Sequence, residues 1–239
     1  CRAEFAMSAS ALFVKCLQEH PRVSFSSTGI LFESLVSRAR NASAAALLHY
    51  KCDRLLFIDA DINFDANDVF KLIKHDKDVV CGAYAKKYYN KQKVALLAKH
   101  NPEVFATESW KDLATDYTTE FSRDIAASIR APKNLVEVDY AATGFMLIKT
   151  DVFKKIIKER PDLKYKNEVD GYSSWGDNFY DFFPAHVNPE NGKYESEDYG
   201  FCNLWRSMGG KIHLDPTIKL HHIGNNSYGG DLIKQMEFF

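Results

Sequence analysis

Residues 54–61 read Arg-Leu-Leu-Phe-Ile-Asp-Ala-Asp, an apolar run that ends abruptly in two carboxylates one residue apart. Such a run predicts a buried strand of an α/β sheet, which delivers the residues beyond its C-terminal end to the crevice where ligands bind. Side chains alternate along an extended backbone, so Asp59 and Asp61 point the same way across Ala60. Two like charges that close repel each other unless a cation or a donor-rich ligand lies between them. Oxygen ligands used one or two at a time, with phosphate oxygens completing the shell, suit Mg²⁺ or Mn²⁺. The plain alternative is a strand running into an acidic turn or helix cap, and these eight residues alone do not separate the two.

The neighbouring sequence sets this strand in a β-α-β-α-β rhythm. Residues 3–19 carry Phe5, Ala9, Phe13, Val14 and Leu17 at helical spacing, 22–27 alternate as a short strand, and 33–50 form an Ala-rich helix. A helix over 66–75 and a strand over 78–83 come next. Short connections between such elements predict a largely parallel sheet covered on both faces. Beyond Tyr84 the pattern weakens, with helical stretches near 91–99 and 118–129. Strands are predicted over 135–140 and 144–149, then a helix capped by Thr150. Residues 160–195 hold clustered aromatics (Tyr172, Trp175, Phe179, Tyr180, Phe182, Phe183) and read as a long ordered loop over a site. Ser196 is the N-cap of a helix reaching Met208, and 211–214 and 217–222 close as short strands. The whole chain reads as one domain. A doubly wound fold begins with a strand and this chain begins with a helix, so a first strand is expected to be missing.

Composition excludes some classes. At 239 residues the chain can bury a sizeable core, and its net charge of −1 gives no reason to expect nucleic acid as a partner. No apolar run is long enough to span a bilayer and no signal peptide is visible, so a cytoplasmic location is expected. The five cysteines (Cys1, Cys16, Cys52, Cys81, Cys202) lack a C-x-x-C pair and read as free thiols in a reducing compartment. Two glycosylation-type triplets, at Asn41 and Asn225, fall inside segments assigned to the site and read as unmodified.

Three further segments carry candidate chemistry. In Ser37-Arg38-Ala39-Arg40-Asn41 the arginines are two apart, so on a helix they diverge by about 200°. One then turns toward the sheet edge, where a guanidinium can hold phosphate; the plain alternative is two solvated arginines. In Ser196-Glu197-Asp198-Tyr199 the acids fall in a first helical turn, where the macrodipole favours a carboxylate that can still accept a proton from a hydroxyl. Acids there are usually only caps. In Leu220-His221-His222-Ile223-Gly224 the two imidazoles face opposite ways if extended, so one can ligate a metal while the other faces solvent or core. Gly224 and the pair Gly229-Gly230 suggest a mobile tail. Lys86 and Lys87 read as a solvated pair, with phosphate contact as the alternative.

Taken in order, Arg-Ala-Arg-Asn, the strand ending in Asp-Ala-Asp, Thr143-Gly144-Phe145, Ser-Glu-Asp-Tyr and the late His-Ile-Gly resemble a GT-A type nucleotide-sugar glycosyltransferase. The likeness spans the chain apart from 88–133 and 160–190. The N-terminal half is similar to fungal mannan-polymerase mannosyltransferases, and the C-terminal half to small bacterial and phage-type glycosyltransferases. The resemblance implies a Rossmann-like GT-A domain over 1–239, with 1–140 holding the nucleotide sugar and 141–239 the acceptor and catalysis. It implies Mn²⁺ or Mg²⁺ on Asp61 and His222, with Asp59 on the ion through water or on the donor ribose. Arg38, Arg40 and Asn41 would face the donor, Thr143 and Gly144 the donor sugar or the acceptor, and Asp198 would be the base, assisted by Glu197. The implied partners are a UDP- or GDP-sugar and a glycan, lipid-linked sugar or protein acceptor. Ser-Glu-Asp points to inversion, whereas the mannan-polymerase likeness points to retention. A non-catalytic nucleotide-sugar or carbohydrate-binding module remains the alternative of a different class. A nucleotidyltransferase would add a Gly-rich basic loop, which the sequence does not show.

Overall fold

The computed structural model describes residues 2–30, 33–121, 135–168, 171–189 and 192–238. Six strands form the main sheet: β1 (Arg54–Ile58), β2 (Val79–Cys81), β3 (Thr119–Phe121), β4 (Val136–Ala141), β5 (Phe145–Lys149) and β6 (Ile212–Leu214). Their spatial order is β1-β5-β2-β6-β4-β3. The fold is mixed α/β as expected, but the sheet is mostly antiparallel. Only β2 and β6 run parallel, with Val80 opposite His213, while β1–β5, β5–β2, β6–β4 and β4–β3 are antiparallel. The expected parallel, Rossmann-like sheet is thereby corrected. Its cause is β5, which inserts between β1 and β2, the two strands of the β-α-β unit. A strand buried on both faces reads as one apolar run whichever way it points, so Phe145-Met146-Leu147-Ile148 carries no sign of direction.

Alternation along these strands builds two cores. Phe57, Val79, Cys81, Met146 and Ile148 face one side, against Ala44 and Leu47 of α2 (Val36–Tyr50), Val152, Phe153 and Ile156 of α4 (Thr150–Glu159) and Phe201 of α5 (Glu197–Ser207). Val80, Phe145 and Leu147 face the other, against Leu12 of α1 (Ala3–Glu19) and Val69 and Leu72 of α3 (Ala66–His75). Helices thus cover much of both sides of the sheet, and the end of β1 is left open.

Several local expectations are corrected. Residues 22–27 form no strand, α2 begins at Val36, and 119–121 are extended instead of helical, while 122–129 lie outside the described residues. Thr150 opens α4, but its hydroxyl donates to the Cys52 carbonyl at 2.5 Å and does not cap the helix. The aromatic loop is a core element. Tyr172, Trp175 and Phe179 pack on Ala42, Ala45 and Ala46 of α2, and Phe182 and Phe183 enter the main core. Alanines on that helix face give the rings room to dock. After Gly229-Gly230 the chain forms a helix over Leu232–Phe238, with Gln235 buried. Among the described residues no helix is long and apolar enough to cross a membrane.

Candidate functional site

Asp59, Ala60 and Asp61 turn across the end of β1. The Asp59 N–H donates to the Gly144 carbonyl at 3.0 Å, and the Ile62 N–H returns to the Asp59 carbonyl at 2.9 Å. The C-terminal region is stitched onto the same turn. His221–Ile223 pairs antiparallel with Ile62–Asn63, and the Ile223 N–H donates to the Asp61 carbonyl at 2.8 Å. Main-chain pairing therefore carries His222 to Asp61.

Two charge clusters sit at this end of the sheet. In the first, Arg40 of α2 places Nη2 3.4 Å from Asp59 Oδ1 and Nε 3.3 Å from Glu197 Oε1. Its side chain is only 11% exposed and lies over the Phe57 ring. Both distances are longer than the usual 2.7–2.9 Å of charge-assisted hydrogen bonds, so the trio is loosely closed. In the second, Lys87 Nζ lies 2.6 Å from Asp61 Oδ2, and His222 Nε2 lies 3.5 Å from the same oxygen. His222 Nδ1 is 2.9 Å from the Ala85 carbonyl, which can only accept. Nδ1 therefore carries a proton, and Nε2 is turned toward Asp61, the orientation a metal-binding imidazole adopts. Burial by itself would raise the Asp61 carboxyl. The Lys87 hydrogen bond, with charge on His222 and Lys87, outweighs it and holds the group below the ordinary carboxylate value.

Tyr84 joins the clusters. Its buried ring meets His222 edge-on with centroids 5.1 Å apart. Burial pushes its phenol pKa up, and the charges of Asp59 and Asp198 add to the rise. A Cβ at Gly144 would lie 2.5 Å from the Tyr84 hydroxyl and 2.6 Å from Asp59 Oδ2. Only glycine fits that corner. Asp198 lies in the first turn of α5, where its Oδ1 accepts from the Tyr199 N–H at 2.9 Å and from the Ser196 hydroxyl. A cavity of about 690 Å³ opens here, lined by Arg2, Val36, Arg40, Asp59, Ala60, Asp61 and Glu197.

Of the residues singled out in the sequence, Arg40, Asp59, Asp61, Gly144, Glu197 and His222 come together at this end of the sheet; Asp198 follows Glu197 in the first turn of α5 but does not line the cavity. Three do not serve it directly. Arg38 diverges from Arg40 as helical geometry requires and pairs with Glu33, Nη2 and Nε each 2.9 Å from a carboxylate oxygen. Asn41 is buried, donating to Asp181 at 2.9 Å and accepting from the Phe183 N–H at 3.1 Å, which pins the aromatic loop to α2. Thr143 is fully buried, so only its neighbour Gly144 shapes the site. Sequence reasoning missed Tyr84 and undervalued Lys87, because a Tyr after a strand and a Lys-Lys pair look like ordinary surface.

The donor chemistry fits a hard cation only in part. Asp61 and His222 converge, but Asp59 is turned to Arg40, and among the described residues no three His, Cys, Asp or Glu side chains group closely enough to hold a metal. A cation here would rest on two protein ligands and take the remainder from a ligand or water.

No family model and no curated protein matches the chain. A solved structure described as the crystal structure of A197 from STIV is similar at a TM-score of 0.40 and 17% identity, over 80% of this chain and 69% of that one. That likeness is too distant to bear on fold or chemistry.

Proposed function

We propose that this chain is a metal-dependent glycosyltransferase of GT-A type, transferring a sugar from a nucleoside-diphosphate sugar to a hydroxyl of a glycan, lipid-linked sugar or protein. The observation that carries this reading is convergence. Arg40, Asp59, Asp61, Tyr84, Lys87, Gly144, Glu197 and His222 come from well-separated stretches of chain, yet meet at the end of one strand. Asp61 and His222 would hold Mn²⁺ or Mg²⁺, which when bound supplies positive charge to a leaving diphosphate. Arg40, between Asp59 and Glu197, orients both carboxylates and offers a guanidinium to donor oxygens. Asp198, in the first turn of α5, accepts the proton of the acceptor hydroxyl as it attacks, and Glu197 beside it assists. The product anomer is inverted. Free thiols at Cys16, Cys52, Cys81 and Cys202 suit the reducing cytoplasm.

Asp198→Asn is expected to abolish transfer while leaving donor binding intact; near-normal turnover would remove Asp198 from the role. Thermal shifts with UDP and GDP, with and without Mn²⁺, are expected to show stabilisation by one nucleotide and only with metal. The anomeric proton signal of the first-formed product separates inversion from retention. One observation favours a second reading, a non-catalytic binding module: Lys87 and Arg40 already neutralise the carboxylates from within. Metal-dependent hydrolysis of a donor sugar by the purified chain would exclude it.

A further inference from the structure

We infer that Lys87 is a resident cation competing with the divalent ion for Asp61, and that metal binding hands its ammonium to the diphosphate. This rests on the proposed binding of a metal by Asp61 and His222. Three features of the molecule carry it.

The amine and the imidazole address one atom, with Lys87 Nζ 2.6 Å and His222 Nε2 3.5 Å from Asp61 Oδ2. An ion taking both Asp61 and His222 would meet the ammonium at that oxygen.

The strand Ala85–Tyr89 serves both partners. Its Ala85 carbonyl fixes His222 Nδ1, and Lys87, two residues on, reaches Asp61 Oδ2. Lys86, its neighbour, makes no ion pair among the described residues and is exposed.

The lysine stem has a prepared path. A Cβ at Gly224 would come within 3.2 Å of Lys87 Cδ and 3.7 Å of its Cγ. Glycine stands where the stem crosses the turn after His221–Ile223.

An ammonium on a flexible stem can move, whereas the backbone-fixed imidazole cannot. A divalent ion with only two protein ligands displaces the amine readily once phosphate oxygens complete its shell. Metal alone should then bind weakly, and metal and diphosphate should each strengthen the other by the same factor.

The test is calorimetric titration of the full chain with MnCl₂ alone, and with UDP or GDP present, at fixed ionic strength. Lys87→Met keeps the stem and removes the charge at a half-exposed position, and Asp61→Asn serves as the control that loses the ligand. Lys87→Met is expected to bind Mn²⁺ alone about tenfold more tightly than the native chain, because charge repulsion at the carboxylate is gone. It is also expected to lose part of the mutual enhancement between Mn²⁺ and nucleotide, the part beyond what phosphate oxygens on the ion supply. Gly224→Ala, which crowds the stem but keeps the charge, should move Mn²⁺ affinity the same way by less. If Lys87→Met binds Mn²⁺ no more tightly while Asp61→Asn abolishes binding, the competition is overturned and the metal reading stands. If Lys87→Met gains Mn²⁺ affinity yet keeps the full enhancement, the transfer of the amine to the diphosphate is overturned. If native and Lys87→Met chains both ignore Mn²⁺ with and without nucleotide, the two readings fall together.

Discussion

Two cavities among the described residues are of nearly equal size and opposite character. The first, at the end of β1, is lined by Arg40 and the acids Asp59, Asp61 and Glu197. The second, of about 710 Å³, lies beside the C-terminal end of α3 and gathers Lys71, Lys74, His75, Lys77 and His213 around Asp215. Nearly every charge in the second has a local reason. Lys74 and His75 occupy the last turn of α3, where cations offset the helix dipole. Lys71 pairs with Asp68 at 2.7 Å within that helix. Asp215 closes a turn by accepting from the Thr217 N–H and hydroxyl, and His75 Nε2 ties it to α3 at 2.7 Å. At the first, Arg40 and Lys87 sit inside their elements and cap nothing; Arg40 bridges Asp59 to Glu197 of α5, and Lys87 holds Asp61 at the cavity's edge. Volume does not distinguish the two cavities. What the charges do for the chain does: those of the second finish a helix and close a turn, and those of the first do neither.

The comparison can be broken by substitution. Arg40→Met removes the guanidinium that links Asp59 to Glu197, and an expected loss of about 1–2 kcal/mol in urea unfolding should accompany loss of nucleotide binding. Stability falling while nucleotide still binds normally would make the trio merely structural. Gly144→Ala drives a methyl into Tyr84 and Asp59, and should cost about 1–3 kcal/mol and distort the same cavity.

The basic cavity should answer chiefly to acid. The Asp215 carboxyl is held below its ordinary value, for although burial would raise it, hydrogen bonds from His75 and Thr217 outweigh that. The stability it contributes is therefore present above the unfolded carboxylate pKa of about 3.9 and is lost as pH falls through the lower folded value. Unfolding measured from pH 5 down to 2 should show the native chain losing more stability than Asp215→Asn, with ligand binding at the other cavity unchanged near neutrality. Equal acid sensitivity would deny the carboxylate that role.

How much of the fold and site is legible in the sequence depends on whether the cause is local. The strand before Asp59, the helices over 66–75 and 150–159 and the first turn of α5 come from apolar period and charge placement, and the structure has them. The divergence of Arg38 and Arg40 is legible as well, but which one turns inward depends on Glu33 being near enough to take Arg38. Sheet direction is not legible, because β5 looks the same read either way. Asn41 resembles a site residue because its neighbours are. Its amide in fact spans from α2 to Asp181 and Phe183, contacts that only the folded chain creates. Lys87 is hidden by the opposite error, since nothing in Lys86-Lys87 tells which amine crosses a glycine to reach an acid.

The antiparallel seam between β1 and β5 joins Arg54 to Lys149 and Ile58 to Phe145, so the strand bearing the acid pair acquires its neighbour only after most of the chain has been made. Contacts between such remote stretches are slow to form, because a long loop must close before they reward it. Refolding should accordingly proceed in the slow regime of non-local topologies, with the Asp61–His222 juxtaposition among its last events. A chain arrested early would own every residue of the cavity and possess none of its chemistry.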